Sequence, residues 1–159
     1  MKILALDLGT TTGWALGANG FTESGVQVFD VKRGESPGMR YVRFNRWLEE
    51  MADLKPMELI VYEQAHQRGG PATEVAAGFT TRVQEFCARR GIEHASVHSA
   101  TLKRFVLGTA PKRKKGEPMF DRSKARMVEM VERRWLLVPA DDNEADAIAL
   151  LMYARETYG

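Results

Sequence analysis

The chain has 159 residues, a net charge of +2, 44% apolar residues and one cysteine, Cys87. That length suits one domain with a buried core. A lone cysteine excludes an internal disulfide, the three histidines (His66, His94, His98) lack zinc-ligand spacing, and no apolar run approaches the roughly 18 residues of a membrane-spanning helix.

In chain order, the short apolar run Lys2 to Leu8 predicts a buried strand. Gly9 and the threonines Thr10, Thr11 and Thr12 predict a turn, and Gly13 to Leu16 a returning strand. Ala18-Asn19-Gly20 is a hairpin signal leading into a third strand over Thr22 to Asp30. Tyr41, Phe44, Leu48, Met51 and Leu54 recur at helical spacing, so Met39 to Leu54 is expected to be a helix, ended by Pro56. Glu58 to Glu63 predicts a fourth strand, parallel to the first because a helix intervenes. After a loop through Pro71, a long helix is expected from about Thr73 to Arg90, closed by Gly91. Its Ala76-Ala77-Gly78 run permits close packing, either within the chain or across a dimer. Ile92 to His98 predicts a fifth strand, and Ser99 would cap a short helix through Val106. Residues 108 to 120, with four consecutive basic residues among prolines and glycines, predict a mobile loop. Helices follow over Arg122 to Trp135 and Asp142 to about Glu156.

Charge is unevenly spread. Between Lys103 and Arg126 there are nine basic residues, opposed only by Glu117 and Asp121. Such a stretch on an otherwise acidic chain fits either a polyanion partner or a solvated loop.

Three apolar segments end in carboxylates: Leu4-Ala5-Leu6-Asp7, Ile60-Val61-Tyr62-Glu63, and the cluster Asp141-Asp142-Asn143-Glu144-Ala145-Asp146 that opens the last helix. A buried charge without a partner costs several kcal/mol or more. Converging carboxylates therefore call for a cation, and oxygen-only donors suit Mg²⁺ rather than Zn²⁺. On the last helix, Asp142 and Asn143 share a face with Asp146, and the apolar remainder is expected to pack on the sheet. Asp141 or Asp142 suits the N-cap. Glu144 points away from that face and is expected to be solvated. Tyr62 is expected to be half-buried, and Cys87 structural.

These three motifs, in this order, resemble the RuvC-type Holliday junction resolvases, and more specifically their bacteriophage and prophage branch. The resemblance implies an α/β, RNase H-like fold: a five-stranded mixed sheet (an antiparallel three-strand meander, then parallel strands) flanked by helices, forming one nuclease domain over residues 1–159. It also implies a homodimer in a bacterial or phage-infected host cytoplasm. By position, Asp7, Glu63 and Asp146 match the family's acidic metal ligands. Asn143 stands where the family usually has Asp or His, leaving Asp142 as a candidate substitute. Lys103 and Lys124 match lysines used at the DNA and the scissile phosphate, and Gln64 also matches. His66 takes the place of an aromatic residue near the crossover. With His66, the neighbouring Arg68 and the loop Lys112, Arg113, Lys114 and Lys115, which resembles an insertion, would contact DNA.

The implied activity is a crossover junction endodeoxyribonuclease that makes paired symmetric nicks in four-way, and potentially other branched, DNA. Two Mg²⁺ ions per site are implied, with Mn²⁺ expected to substitute and no nucleotide cofactor. The Asp7-Leu8-Gly9-Thr10-Thr11-Thr12 segment also resembles the first phosphate loop of the actin and hexokinase group. That makes a phosphate-binding ATPase fragment an alternative, alongside an RNase H-like nuclease acting on RNA–DNA hybrids.

Overall fold

The computed structural model describes residues 1–65, 69–108 and 122–159. Five strands form one sheet in the order β3-β2-β1-β4-β5. Strands β1 (Ile3–Asp7), β2 (Thr11–Ala18) and β3 (Phe21–Val28) make the antiparallel meander. Its hairpin turns at Asn19 and Gly20, both at positive φ. Strands β4 (Leu59–Glu63) and β5 (Glu93–Val97) then add in parallel beside β1.

Alternation along the strands sends successive side chains to opposite faces. Leu4, Leu6, Ile60 and Tyr62 face α1 (Met39–Leu54) and α2 (Pro71–Arg90), where Phe29, Phe44, Phe79 and Phe86 complete an aromatic core. Ile3, Ala5, Leu59 and Val61 face α3 (Ser99–Leu107), α4 (Arg122–Trp135) and α5 (Asp142–Tyr158). Asp7 and Glu63 continue this second series, so both carboxylates emerge on the α5 side at the carboxyl ends of parallel neighbours.

The expected architecture is borne out; local details differ. Helix α2 begins at Pro71, whose fixed φ and missing N–H suit a first helical position. It ends as expected on Gly91, in the left-handed region at φ 66°. The strand expected to run to Asp30 stops at Val28, because Phe29 turns inward: it is buried among Phe44 and Phe79 while its N–H donates to Thr10 O at 2.7 Å. The cap of α3 is His98 rather than Ser99, with Nδ1 accepting from Ala100 N at 3.2 Å. Tyr62 is buried, not half-buried, and its hydroxyl meets Gln84 Nε2 at 3.0 Å and His94 Nδ1 at 3.4 Å. Gly78 packs within the chain: a Cβ there would lie 2.2 Å from the Tyr41 hydroxyl of α1.

Candidate metal centre

Strand pairing places Leu6 opposite Tyr62, so Asp7 and Glu63 leave the sheet side by side. Asp7 also lies opposite Gly13 on β2. A Cβ at Gly13 would fall 1.9 Å from the backbone oxygen of Asn143. Glycine there lets the first turn of α5 rest directly on the sheet, which carries Asp146 over the strand ends. One carboxylate oxygen from each of Asp7, Glu63 and Asp146 lies within 4.8 Å of the others.

All three side chains are half-buried, and among the described residues none donates a hydrogen bond to their carboxylates. Burial, reinforced by the charges of Asp146, Glu63 and Asp142, pushes the Asp7 carboxyl well above the usual carboxylate range. Asp146 is pushed up to about 7, chiefly by burial and then by Glu63 and Asp142, against the opposing pull of Lys103 and Lys124. Crowded oxygen donors, with no N–H or O–H among the described residues to satisfy them, fit a hard divalent cation.

Around the trio lies a cleft of about 320 Å³, floored by the strand ends and walled by α2, α3, α4 and α5. Lys103 enters from α3 and Lys124 from α4, while Gln64 follows Glu63 along the floor. Lys124 Nζ stands 3.6 Å from Asp142 Oδ2 and is largely exposed, so its ammonium can leave Asp142 for another anion. Asp142 is free for the cleft because Asp141 is the N-cap: its Oδ1 accepts from Glu144 N at 2.9 Å. Asn143 also lines the cleft, but its amide leans back to Asp141 Oδ2 at 3.4 Å. Both candidates for a fourth donor, Asp142 and Asn143, line the cleft; the Asn143 contact to Asp141 uses its amide nitrogen and leaves Oδ1 unengaged by it.

Glu144 corrects the sequence expectation. It is 8% exposed rather than solvated, with Oε1 accepting from Ser24 Oγ and Oε2 from Ala140 N, each at 2.7 Å. Ser99, read in the sequence only as a helix cap, and Thr80, an ordinary mid-helix threonine, also line the cleft. The Thr12 hydroxyl of the phosphate-loop resemblance is buried and donates to Gly9 O at 2.7 Å, closing its own turn. The remaining expected DNA contacts, His66, Arg68, Lys112, Arg113, Lys114 and Lys115, lie outside the described residues.

This arrangement, a mixed five-stranded sheet in the order β3-β2-β1-β4-β5 flanked by helices, is an RNase H-like fold. More narrowly, it is the fold of RuvC. RuvC of Thermus thermophilus is similar over 98% of this chain and 96% of its own, with a TM-score of 0.71 at 18% identity. The same protein in complex with a Holliday junction substrate gives a TM-score of 0.75 at the same identity and coverage. The fowlpox virus Holliday junction resolvase gives 0.59 at 10% identity, over 99% of each chain. No family model and no curated protein matches the sequence. Among the described residues no helix is long and apolar enough to cross a membrane.

Proposed function

We propose that this chain is a Mg²⁺-dependent, structure-selective DNA endonuclease that resolves four-way junctions. The observation that carries the reading is the meeting of Asp7, Glu63 and Asp146 within 4.8 Å, in a cleft that also holds Lys103 and Lys124. Asp7, Glu63 and Asp146, with Asp142, would hold the cations. Divalent ions bound there would activate a water and stabilise the departing 3′ oxygen.

The chain's own residues do the rest. Asp7 sits between β4 and α5, where it can serve donor sets on both sides. Lys124 and Lys103 face the acidic floor and would offset negative charge building on the scissile phosphate. The basic stretch of the sequence would hold the phosphate backbone, so binding should weaken steeply with salt. Paired nicks in strands of related polarity need two sites related by symmetry, which makes a homodimer part of this reading. RuvC and the poxvirus resolvase, each with a Holliday junction in its solved complex, support the choice of substrate.

The test is cleavage of a mobile four-way junction, with linear duplex and RNA–DNA hybrid in parallel lanes, with and without Mg²⁺. Asp7→Asn should abolish nicking while junction binding persists. The loss should be about 10³-fold or more, above the 10–100-fold typical of removing a partner outside the metal shell. Nicking retained in that variant would refute the metal assignment. Preference for the hybrid would refute the substrate.

A further inference from the structure

We propose that Glu144 is a positioning residue which, tied to Ser24, holds the first turn of α5 against the sheet so that Asp142 and Asp146 meet Asp7 before any cation arrives. The inference rests on the reading of Asp7, Glu63 and Asp146 as a cation site.

The geometry begins with helical phase. A helix advances roughly 100° per residue, so residues two positions to either side of Glu144 lie roughly 200° around the axis from it. Asp142 and Asp146 occupy those positions and share one side of α5, while Glu144 occupies the other. On its side lie β2 and β3. There Oε1 takes the Ser24 hydroxyl of β3 and Oε2 takes the Ala140 N–H just before the helix, both at 2.7 Å. Ser24 is opposite Ala15 on β2, whose small side chain leaves room for the carboxylate to pass. Both oxygens are thus satisfied, from two directions, in a side chain only 8% exposed.

Arg155, on the same flank, ties the far end of α5 to β3 through Thr22 Oγ1 and Phe21 O; the Glu144–Ser24 link sets the rotation of the first turn. Gly13 sets how closely the helix approaches the sheet, and Asp141 fixes where it starts. Neither stops the first turn from rolling. Without a cation, the carboxylates of Asp7, Glu63 and Asp146, with oxygens within 4.8 Å of one another, repel wherever they are ionised. That repulsion would roll α5 so as to lift its carboxylates out of the cleft. The Glu144–Ser24 bond lies on the far side of the helix axis and resists that roll. A buried carboxylate is a costly structural tie unless it is fully hydrogen-bonded, and this one is.

Two variants separate the idea from a merely structural role. Ser24→Ala removes the strand anchor and leaves Ala140 in place; Glu144→Met keeps the length of the side chain but neither acceptor oxygen, and guards against a Ser24 variant that misfolds. Each is titrated with MnCl₂, free ion being followed by electron paramagnetic resonance, while amide hydrogen exchange is read over the first turn of α5 in the metal-free protein. The expected result is a half-saturating Mn²⁺ concentration about tenfold higher, in line with other partners outside a metal shell. Faster exchange confined to residues 142–146 and recovery of affinity in Ser24→Thr should accompany it. Half-saturation within twofold of wild type in either folded variant would overturn the inference and leave the cation site standing. If the wild-type chain takes up no Mn²⁺, the cation site itself falls, and this inference with it.

Discussion

The two faces of the sheet are packed by opposite means. On the α1 and α2 face, bulk fills the space: Phe44 meets Phe79 and Phe29 edge-on, with ring centroids 5.0 and 5.3 Å apart, and Tyr41 adds to Phe79 at 5.1 Å. On the α5 face, Ala5 and Ala15 of the sheet meet Ala145, Ala147, Ala149 and Ala154 of the helix. Large side chains bury more area and dominate stability. Small ones let backbones approach, and here the approach is what brings Asp146 onto Asp7. One face holds the fold together; the other sets distances between charged groups, which must be right to a fraction of an ångström to be useful.

The largest expected effect lies on the aromatic face. Phe44 is fully buried, and Phe44→Ala should cost about 3–5 kcal/mol of unfolding free energy. In the remaining folded protein, at low temperature, Mn²⁺ half-saturation should stay within twofold of wild type. Calorimetry and a metal titration on the same sample check both halves. Weakened metal binding in that variant would mean that the faces are not separable.

A smaller stability effect, with a sharper functional one, is expected at Gly13. A methyl group there would collide with the Asn143 carbonyl at 1.9 Å and the Glu144 nitrogen at 2.9 Å, both backbone atoms that cannot rotate away. Gly13→Ala should lose about 1–3 kcal/mol, the usual cost of overpacking. Cleavage should fall about 100-fold, since a displacement of 1 Å near the chemistry is enough for that. Stability lost without activity lost would show that the approach of α5 does not set the site.

The same contrast explains what could be read in the sequence. Patterns that depend on one element were legible: the bounds of α1 and α4, the carboxylate ends of β1 and β4, and the parallel pairing across α1. Glu144 departs from its sequence expectation for a physical reason. The helical wheel correctly sets it opposite the Asp142 and Asp146 side. It does not say that α5 lies across the sheet with β2 and β3 beneath its other flank, so a position opposite the site need not be in water. His98 displaced Ser99 as a cap because a ring nitrogen one residue earlier reached Ala100 N first, and residue preferences rank serine higher without seeing that geometry. Phe29 likewise reads as part of a strand until the aromatic cluster that captures it is assembled from α1 and α2.

The smallest expected effect separates the faces by pH. In the metal-free protein Asp146 holds its proton up to about 7, whereas an unfolded chain loses it near the ordinary value of 3.8. Between those limits the folded state binds the extra proton, so stability falls as pH rises from about 4 to about 7 and levels off beyond. Asp7, raised for the same reasons, acts in the same direction. On the aromatic face the buried Cys87 thiol is pushed up to about 11, so it contributes nothing to this window. Thermal melts of metal-free protein from pH 4 to 8 should therefore show a declining midpoint. Asp146→Asn should flatten the decline. Added Mg²⁺ should raise the midpoint most above pH 7, where it no longer competes with protons for the same oxygens. A wild-type midpoint that does not fall across this range, or an Asp146→Asn variant that falls as steeply, would mean that the carboxylates are not crowded as the fold places them.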